Sequence, residues 1–541
     1  MTTFRTLDRE TLKDGEGTLA LSEAPTMTNS MEDLSRSPSV ETLEEPDWPR
    51  SWRAYACLLG CFFLMFNSWG LVNAYGTWSS YYVGHSLRGV DQLELNLIGS
   101  TQSFIVLLLS NVVGRLLDAG HSRKVIGCGT FLVPFGLFML SVVHPSDFEA
   151  LGNFGTIWAT QGLVVGLGMG TFFVSSSQVA STWFPKRRGL AVGYVACGAS
   201  VAGVIYPSML RFLIQSVGFN NAVRYVATLT SVTCIYSFIF CTPDPAHEHH
   251  EPKSWGKLRT WFDTEAFQNK AWCWFTAAVA FMFFGFYPIF FNLEEATVRG
   301  FGTRSRTGVS ISNTETTNVP LQTFWLLVIM NGASTIGRML LAHFSDKIGA
   351  LNMHIGSQFV ASLLTLILWT LAGTESEAIA FCVVFGVFSG IVIGLPPASI
   401  GNILNCSYTA PGTTHFAKKK LGHWTGMMYT FAAIPALAGP VIAGHLITQY
   451  KTYITVQMWS GSTLMLSCIC MVISRWHLPC ANGEHAKAEF VRRLSKADTS
   501  EKGKLGDATP EALSQAPTRV PSRAPSRQVS CEYLDTPERM V

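Results

Sequence analysis

Twelve separate apolar stretches, each about long enough to cross a bilayer, fill nearly everything between Ala54 and Ile473. A hydrocarbon core about 30 Å thick takes about 20 apolar residues at helical rise. In lipid a lone span must satisfy its backbone N–H and C=O groups internally, which leaves helix as the economical conformation. The stretches are residues 54–78, 95–117, 125–143, 154–177, 189–210, 222–241, 271–293, 321–341, 353–372, 378–400, 424–447 and 454–473. The expected fold is an all-α membrane protein of twelve transmembrane helices. A content of 48% hydrophobic and 14% charged residues agrees, since soluble domains carry about 25% charged residues.

The net charge of +3 is too small to suggest a nucleic-acid partner, so its distribution carries more information than its sum. Lys and Arg concentrate in alternate short connections, which are expected to face the cytoplasm. Arg50 and Arg53 flank the first span, Arg123 and Lys124 follow the second, and Lys186, Arg187 and Arg188 follow the fourth. Lys253, Lys257, Arg259 and Lys270 follow the sixth, Lys347 the eighth, and Lys418, Lys419 and Lys420 the tenth. The other connections carry Asp147 and Glu149 or Glu375 and Glu377, with Arg299, Arg304 and Arg306 as exceptions. Both termini are thereby expected in the cytoplasm.

Residues 1–50 are polar and rich in Ser, Thr, Glu and Pro, unlike a signal peptide. Residues 480–541 hold too few apolar side chains to build a core and are expected to be disordered. Ser495, Ser522 and Ser526 there follow arginines in the manner of basic-directed phosphorylation sites. The thirteen cysteines are scattered singly and read as small packing residues. The run His247-Glu248-His249-His250 reads as a solvated loop cluster rather than a metal site.

The stretch 242–270 divides the spans into six and six. After the second span comes Gly114-Arg115-Leu116-Leu117-Asp118-Ala119-Gly120, then Arg123. After Gly337 and Arg338 in the eighth comes Ala342-His343-Phe344-Ser345-Asp346-Lys347-Ile348-Gly349. In each copy a small residue stands four positions before an Asp, so neighbouring helices can approach closely. The carboxylate can cap a helix N-terminus or pair with Arg across the face. Gly114, Arg115, Asp118, Arg123, Arg187, Arg188, Asp346 and Lys347 are therefore candidates for a cytoplasmic gate.

This repeated loop resembles the signature of the major facilitator superfamily, with Ala119 where a basic residue is usual. Segments 66–76 and 183–193, Gly285-Phe286-Tyr287-Pro288 and Gly439-Pro440 look like the fungal monocarboxylate-porter-like branch. The resemblance covers residues 50–475. It implies two six-helix pseudo-repeats around a central cavity, with transport by alternating access. The implied organisation is a cytoplasmic tail (1–52), a first half (53–241), a cytoplasmic central loop (242–270), a second half (271–475) and a second cytoplasmic tail (476–541). Residues 303–319 and 408–417 are polar insertions relative to the family, either genuine loops or errors in the coding sequence.

Charges inside spans are costly, about 2.5–3.5 kcal/mol at the centre on translocon scales, so one that remains is a candidate for function. Arg338 is the foremost, either gripping a substrate carboxylate through its planar fork or pairing at the gate with Asp346 or a neighbouring helix end. Arg224 reads as an interfacial anchor, and Glu294 and Glu295 as solvated helix-end charges. Animal monocarboxylate porters carry a Lys in the first span and an Asp one turn before the Arg of the eighth. Asn73 and Ser334 stand at the matching positions here. A larger, weakly acidic or neutral solute is therefore expected in place of lactate. Asn67, Trp69, Asn73, Gln161, Tyr206, Tyr287, Asn292, Asn331 and Arg338 are the cavity candidates, with Gln102 as a further polar group. Phe286, Phe385 and Phe388 would supply apolar walls. Gly162, Gly166 and Gly170 in the fourth span, and Gly386, Gly390 and Gly394 in the tenth, form small-residue faces for close packing.

The leading reading is a secondary transporter in the cell membrane, with the vacuolar membrane as alternative. It would export a secondary metabolite or organic acid by alternating access. An uptake carrier for a monocarboxylate or vitamin, and a non-transporting solute sensor, are the competing readings. The expected partners are a small organic solute, anionic in one reading, protons as a candidate coupling ion, and the lipid bilayer. No enzyme motif, metal-ligand spacing, cofactor motif or phosphate-binding Gly-Lys loop is present in the sequence.

Overall fold

The computed structural model describes residues 48–144, 152–184, 187–245, 255–301, 324–372, 374–408 and 414–478. Within these, the side chains of 188, 258–259, 294–295, 297–301, 324, 341–347, 375 and 414–419 are not described. The readings of both tails, of the 247–250 cluster, of 303–319, and of Asp147, Glu149, Lys186, Lys253, Arg304 and Arg306 lie outside the described residues. So do those of the side chains of Arg188, Arg259, Glu294, Glu295, Arg299, Asp346, Lys347, Glu375, Lys418 and Lys419.

Every element among the described residues is helical. Eleven of the helices are long and apolar enough to cross a membrane. The first six are α1 (Trp52–Asn73), α2 (Gln92–Asp118), α3 (Ser122–Val143), α4 (Phe154–Trp183), α5 (Gly189–Val217) and α6 (Phe219–Phe240). After the central loop come α7 (Lys270–Leu293) and the 25-residue α8 (Phe324–Ile348), which takes the remaining place. Then follow α9 (Ala350–Leu371), α10 (Ser376–Gly394), α11 (Lys420–Tyr450) and α12 (Ile454–Trp476). The 22 residues of α3 reach about 33 Å at 1.5 Å per residue, enough to span the hydrocarbon. Large apolar side chains stay exposed on the outer faces: Phe131, Phe135 and Phe138 on α3, and Val232, Ile235 and Ile239 on α6. Apolar surface on that scale is stable against lipid, not water.

Missing Cβ atoms set the closest helix approaches. A Cβ on Gly166 would lie 3.3 Å from Gln102 Cα, and one on Gly170 would lie 3.2 Å from the Ile105 carbonyl oxygen, so α4 is pressed onto α2. Six helices on, a Cβ on Gly386 would lie 2.5 Å from the Met330 carbonyl oxygen and one on Gly390 2.2 Å from that of Ser334. The α10–α8 pair thus repeats the α4–α2 pair. Contacts between the first six helices and the last six run mainly through α2 against α11 and α5 against α8.

Three departures from the sequence reading follow from local chemistry. The first span is not a regular helix throughout: within α1 the backbone departs from helix at Ser68 (φ −105°, ψ −94°), and past Ala74 the chain continues as a further helix over Tyr75–Tyr81. Asn67 and Ser68 allow this because their side chains hydrogen-bond neighbouring helices at the break. Residues 414–417, expected within an insertion, begin the helix Thr414–Tyr450. The central loop is partly helical, over Leu258–Trp261 and Thr264–Gln268, the second capped by Asp263 Oδ1 accepting from the Glu265 amide at 3.1 Å.

Candidate functional site

The break in α1 builds the site. A Cβ on Gly70 would stand 2.2 Å from Ala202 Cβ, so the chain just past Ser68 lies directly on α5. Ser68 Oγ donates to the Met169 carbonyl at 3.1 Å, tying the break to α4. Trp69, the first residue of the displaced segment, reaches the middle of the bundle and is nearly buried. Its indole stacks on Tyr287 of α7 with ring centroids 5.3 Å apart and planes 13° apart. Phe283, one turn earlier on α7, stacks on the same indole at 5.8 Å. Phe173 of α4 meets it edge-on at 5.3 Å and in turn meets Tyr429 of α11 at 4.9 Å.

These rings surround a central cavity of about 30 Å³, room for about one water. Asn73 and Arg338 also line it. Arg338 is only 4% exposed. Its Nη1 donates to the Ala196 carbonyl of α5, and its buried Nε has no partner. Among the described residues the cavity lining contains no Asp or Glu. Asn73 and Ser334 make packing contacts: Asn73 Nδ2 donates to the Ala199 carbonyl at 3.4 Å, and Ser334 Oγ accepts from Ser200 at 3.2 Å. A guanidinium in such a place is costly to bury.

Trp69, Asn73, Tyr287 and Arg338 are therefore brought together. The other cavity candidates sit elsewhere. Asn67 Oδ1 accepts from Tyr206 Oη at 2.7 Å while its Nδ2 donates to Thr233 Oγ1 at 2.8 Å, joining α1, α5 and α6. Gln161 accepts from Tyr82 Oη at 2.5 Å through Oε1, and its carbonyl accepts from Gln102 at 2.8 Å. Asn331 donates to the Leu327 carbonyl at 2.9 Å and fills the space left by the absent Cβ of Gly203. Asn292 lies toward the opposite end of the bundle from the basic connections. Phe286 and Phe385 pack on each other at 6.2 Å, outside the cavity lining. Phe173, Phe283 and Tyr429 were missed because aromatic residues in apolar runs look alike whether they face lipid, core or cavity.

Contacts among the described residues draw the helices together on both sides of the cavity. The face carrying Arg123, Arg187 and Lys257 is termed the basic face. On the opposite face Asn96 Nδ2 donates to the Pro440 carbonyl at 2.9 Å and approaches Asn292 Oδ1 at 3.4 Å. Added Cβ atoms on Gly76 and Gly444 would lie 2.6 Å from the Phe290 carbonyl oxygen and 2.8 Å from Leu93 Cα, so backbones touch there.

On the basic face Asp118 pairs with Arg115 at 3.7 Å and accepts from Gln178 Nε2 of α4 at 2.5 Å. A Cβ on Gly114 would stand 3.7 Å from Val174, in ordinary contact. Arg123 is exposed, and Arg187 lies 5.5 Å over the Trp48 ring.

The central loop closes the same face in a way sequence reasoning missed. The Trp261 carbonyl accepts from Asn111 of α2 at 2.6 Å and from His423 of α11 at 3.0 Å. Asp263 accepts from the Trp424 indole at 2.9 Å and pairs with Lys420 at 3.5 Å. Glu265 pairs with Lys420 and accepts from Tyr408 Oη at 2.9 Å. Burial pushes the Asp263 carboxyl up, but the Trp424 indole, the Glu265 amide and Lys420 outweigh it and leave it below its ordinary value. Lys420 first, then Tyr408, holds Glu265 below its ordinary value too. The available signal was Asp263 and Glu265 opposite a Lys run.

Comparison with known proteins gives the setting for this geometry. The family model described as Major Facilitator Superfamily matches residues 57–410. An MFS-type transporter of Gibberella zeae is 29% identical over 447 residues, covering 82% of this chain and 91% of the relative. The aspyridones efflux protein apdF of Emericella nidulans is 29% identical over 414 residues, 76% of each chain. The agnestins efflux protein AgnL12 of Paecilomyces divaricatus is 26% identical over 455 residues, 83% of this chain and 92% of that one. A crystal structure of the nucleoside transporter NupG superposes with a TM-score of 0.55 at 12% identity, covering 78% of this chain and 99% of that one.

Proposed function

The chain belongs to the major facilitator superfamily, and from that premise we propose that it exports a small, anionic organic metabolite across the cell membrane. The proposed route runs between two halves, residues 53–241 and 271–475, that rock about the central cavity. The observation that carries the reading is Arg338: a buried guanidinium with an unpartnered Nε, in an aromatic cavity whose described lining offers no carboxylate. In the proposal Arg338 holds the anion, Trp69 and Tyr287 hold its apolar body, and Asn73 donates to it.

The basic face is assigned to the cytoplasm, with both termini, because short Lys- and Arg-rich connections stay on that side. Asp118, Arg115 and the Lys420 cluster then form the inner gate, and Asn96 with Asn292 and Pro440 the outer one. Export is favoured over uptake by the names of two relatives, each an efflux protein for a metabolite.

The reading is tested by profiling metabolites inside and outside cells of a deletion strain, its parent and an Arg338→Gln strain. At least one acidic metabolite should accumulate inside the deletion and Arg338→Gln strains and fall in their medium, with surface expression of the variant unchanged. Identical profiles in all three strains would refute export, and rescue by Arg338→Gln would refute the role of the guanidinium.

A further inference from the structure

The substrate class can be narrowed from what occupies the cavity in its closed state; this step rests on the transport reading above. A space of about 30 Å³ admits no organic solute, whereas small-molecule sites run to about 300–1,000 Å³. Something must therefore leave as the solute enters. The backbone of α1 beside the cavity cannot retreat toward α5, because Gly70 already touches Ala202. The movable element is the stack of Trp69 on Tyr287, which joins α1 of the first half to α7 of the second.

Parting the halves separates two nearly parallel ring faces. Carbon atoms in contact lie about 3.5 Å apart, so an opening of about 7 Å between the faces is a slot one flat ring thick. Phe173 stands edge-on at one border of this slot, where it favours a ring over a flexible chain. Arg338 lines the same cavity with Nε free. We infer that the cargo is a flat, conjugated molecule with one ionised acidic group, its ring taking the place between Trp69 and Tyr287 and its acidic oxygen on Arg338. In this account Trp69 is a built-in stand-in for the solute. It covers Tyr287 when no solute is bound, and yields its stacking partner when a ring arrives.

The test is equilibrium binding to the full chain in lipid nanodiscs, with three probes: 2-naphthoate, decanoate and 2-naphthalenemethanol. 2-Naphthoate should bind at least about tenfold more tightly than either of the others. Trp69→Leu should erase the preference for 2-naphthoate over decanoate, and Trp69→Phe, which keeps a ring, should retain most of it. Arg338→Gln should erase the preference over the neutral alcohol. Thermal melting of each variant near that of the parent excludes misfolding as the cause. Equal binding of 2-naphthoate and decanoate, no binding of 2-naphthoate, or a preference that survives Trp69→Leu would overturn the inference. Export lost in Arg338→Gln cells together with any of these results would leave the transport reading standing and remove only the aromatic one.

Discussion

Asn96 of α2 donates from Nδ2 to the Pro440 carbonyl of α11 at 2.9 Å, and so fastens the two halves together on the face away from the basic connections. The same amide approaches Asn292 of α7 at 3.4 Å, placing three helices on one side chain. Asn96→Ala removes both contacts without adding bulk. A buried hydrogen bond contributes about 1 kcal/mol net, which corresponds to roughly a fivefold shift toward an opening of this face. Amide hydrogen exchange at the ends of α2 and α11 on this face should quicken by about that factor. Exchange that matches the parent would show that backbone contact at Gly76 and Gly444 closes this end alone.

Close approach of α8 to α10 leads to a second expectation. A Cβ on Gly337 would fall 2.0 Å from the Val387 carbonyl oxygen, a backbone atom that cannot swing aside. Gly337→Ala should therefore destabilise the protein by about 1–3 kcal/mol, the usual range for overpacking, and lower its melting temperature in detergent. Gly189→Ala is the control, since nothing lies within 4 Å of the added methyl. Equal melting of the two variants would rule out the tight α8–α10 contact.

How much of this was legible in the sequence divides along physical lines. Span length and apolarity are properties of single segments, so the helical architecture could be read directly, as could the glycine faces of α4 and α10. Whether a polar side chain faces a cavity or a neighbouring helix depends on helix rotation, and Asn67 and Asn73 look alike in sequence. Asn67 turns to Tyr206 while Asn73, six residues on and so on a different helix face, reaches the cavity. Ser68 follows no proline, so nothing local announced the break there. Phe173, Phe283 and Tyr429 were hidden for the opposite reason: they are apolar residues in apolar runs.

The central-loop cluster makes a pH-dependent expectation. Asp263 and Glu265 are both held below their ordinary values. A carboxylate whose folded value is depressed contributes its stabilisation above the unfolded value, near pH 4, and loses it as pH falls through the folded one. The loop should thus stay latched at neutral pH and begin to release below about pH 4. Limited proteolysis within residues 255–268, using a protease active at both acidic and neutral pH and normalised to its rate on an unfolded substrate, should show faster cleavage there as the pH falls. Lys420→Met removes the shared cation, and should give fast cleavage already at pH 7. A parent cleavage rate independent of pH would mean that the Trp261 carbonyl, held by Asn111 and His423, latches the loop without help from charge.

The last expectation separates packing from recognition among residues that the sequence alone could not tell apart. Tyr206 Oη donates to Asn67 Oδ1 at 2.7 Å, but Thr233 Oγ1 also reaches that oxygen, at 3.2 Å. Tyr206→Phe therefore leaves Asn67 Oδ1 a second donor and removes only the 3.1 Å contact of Tyr206 Oη with Thr230 Oγ1. Hydrogen bonds between membrane helices average about 0.6 kcal/mol and reach about 1.7, so a small fall in melting temperature is expected. Tyr206 lies outside the cavity lining, so solute affinity should stay within about twofold of the parent, an allowance smaller than one lost hydrogen bond. Tyr287→Leu, by contrast, removes the ring on which Trp69 rests and should alter affinity for flat solutes, with a fall in melting temperature as well because Tyr287 is fully buried. If Tyr206→Phe weakened binding as much as Tyr287→Leu did, the solute would contact the α1–α5–α6 junction, and the cavity bounded by Trp69, Tyr287 and Arg338 would be only part of the site.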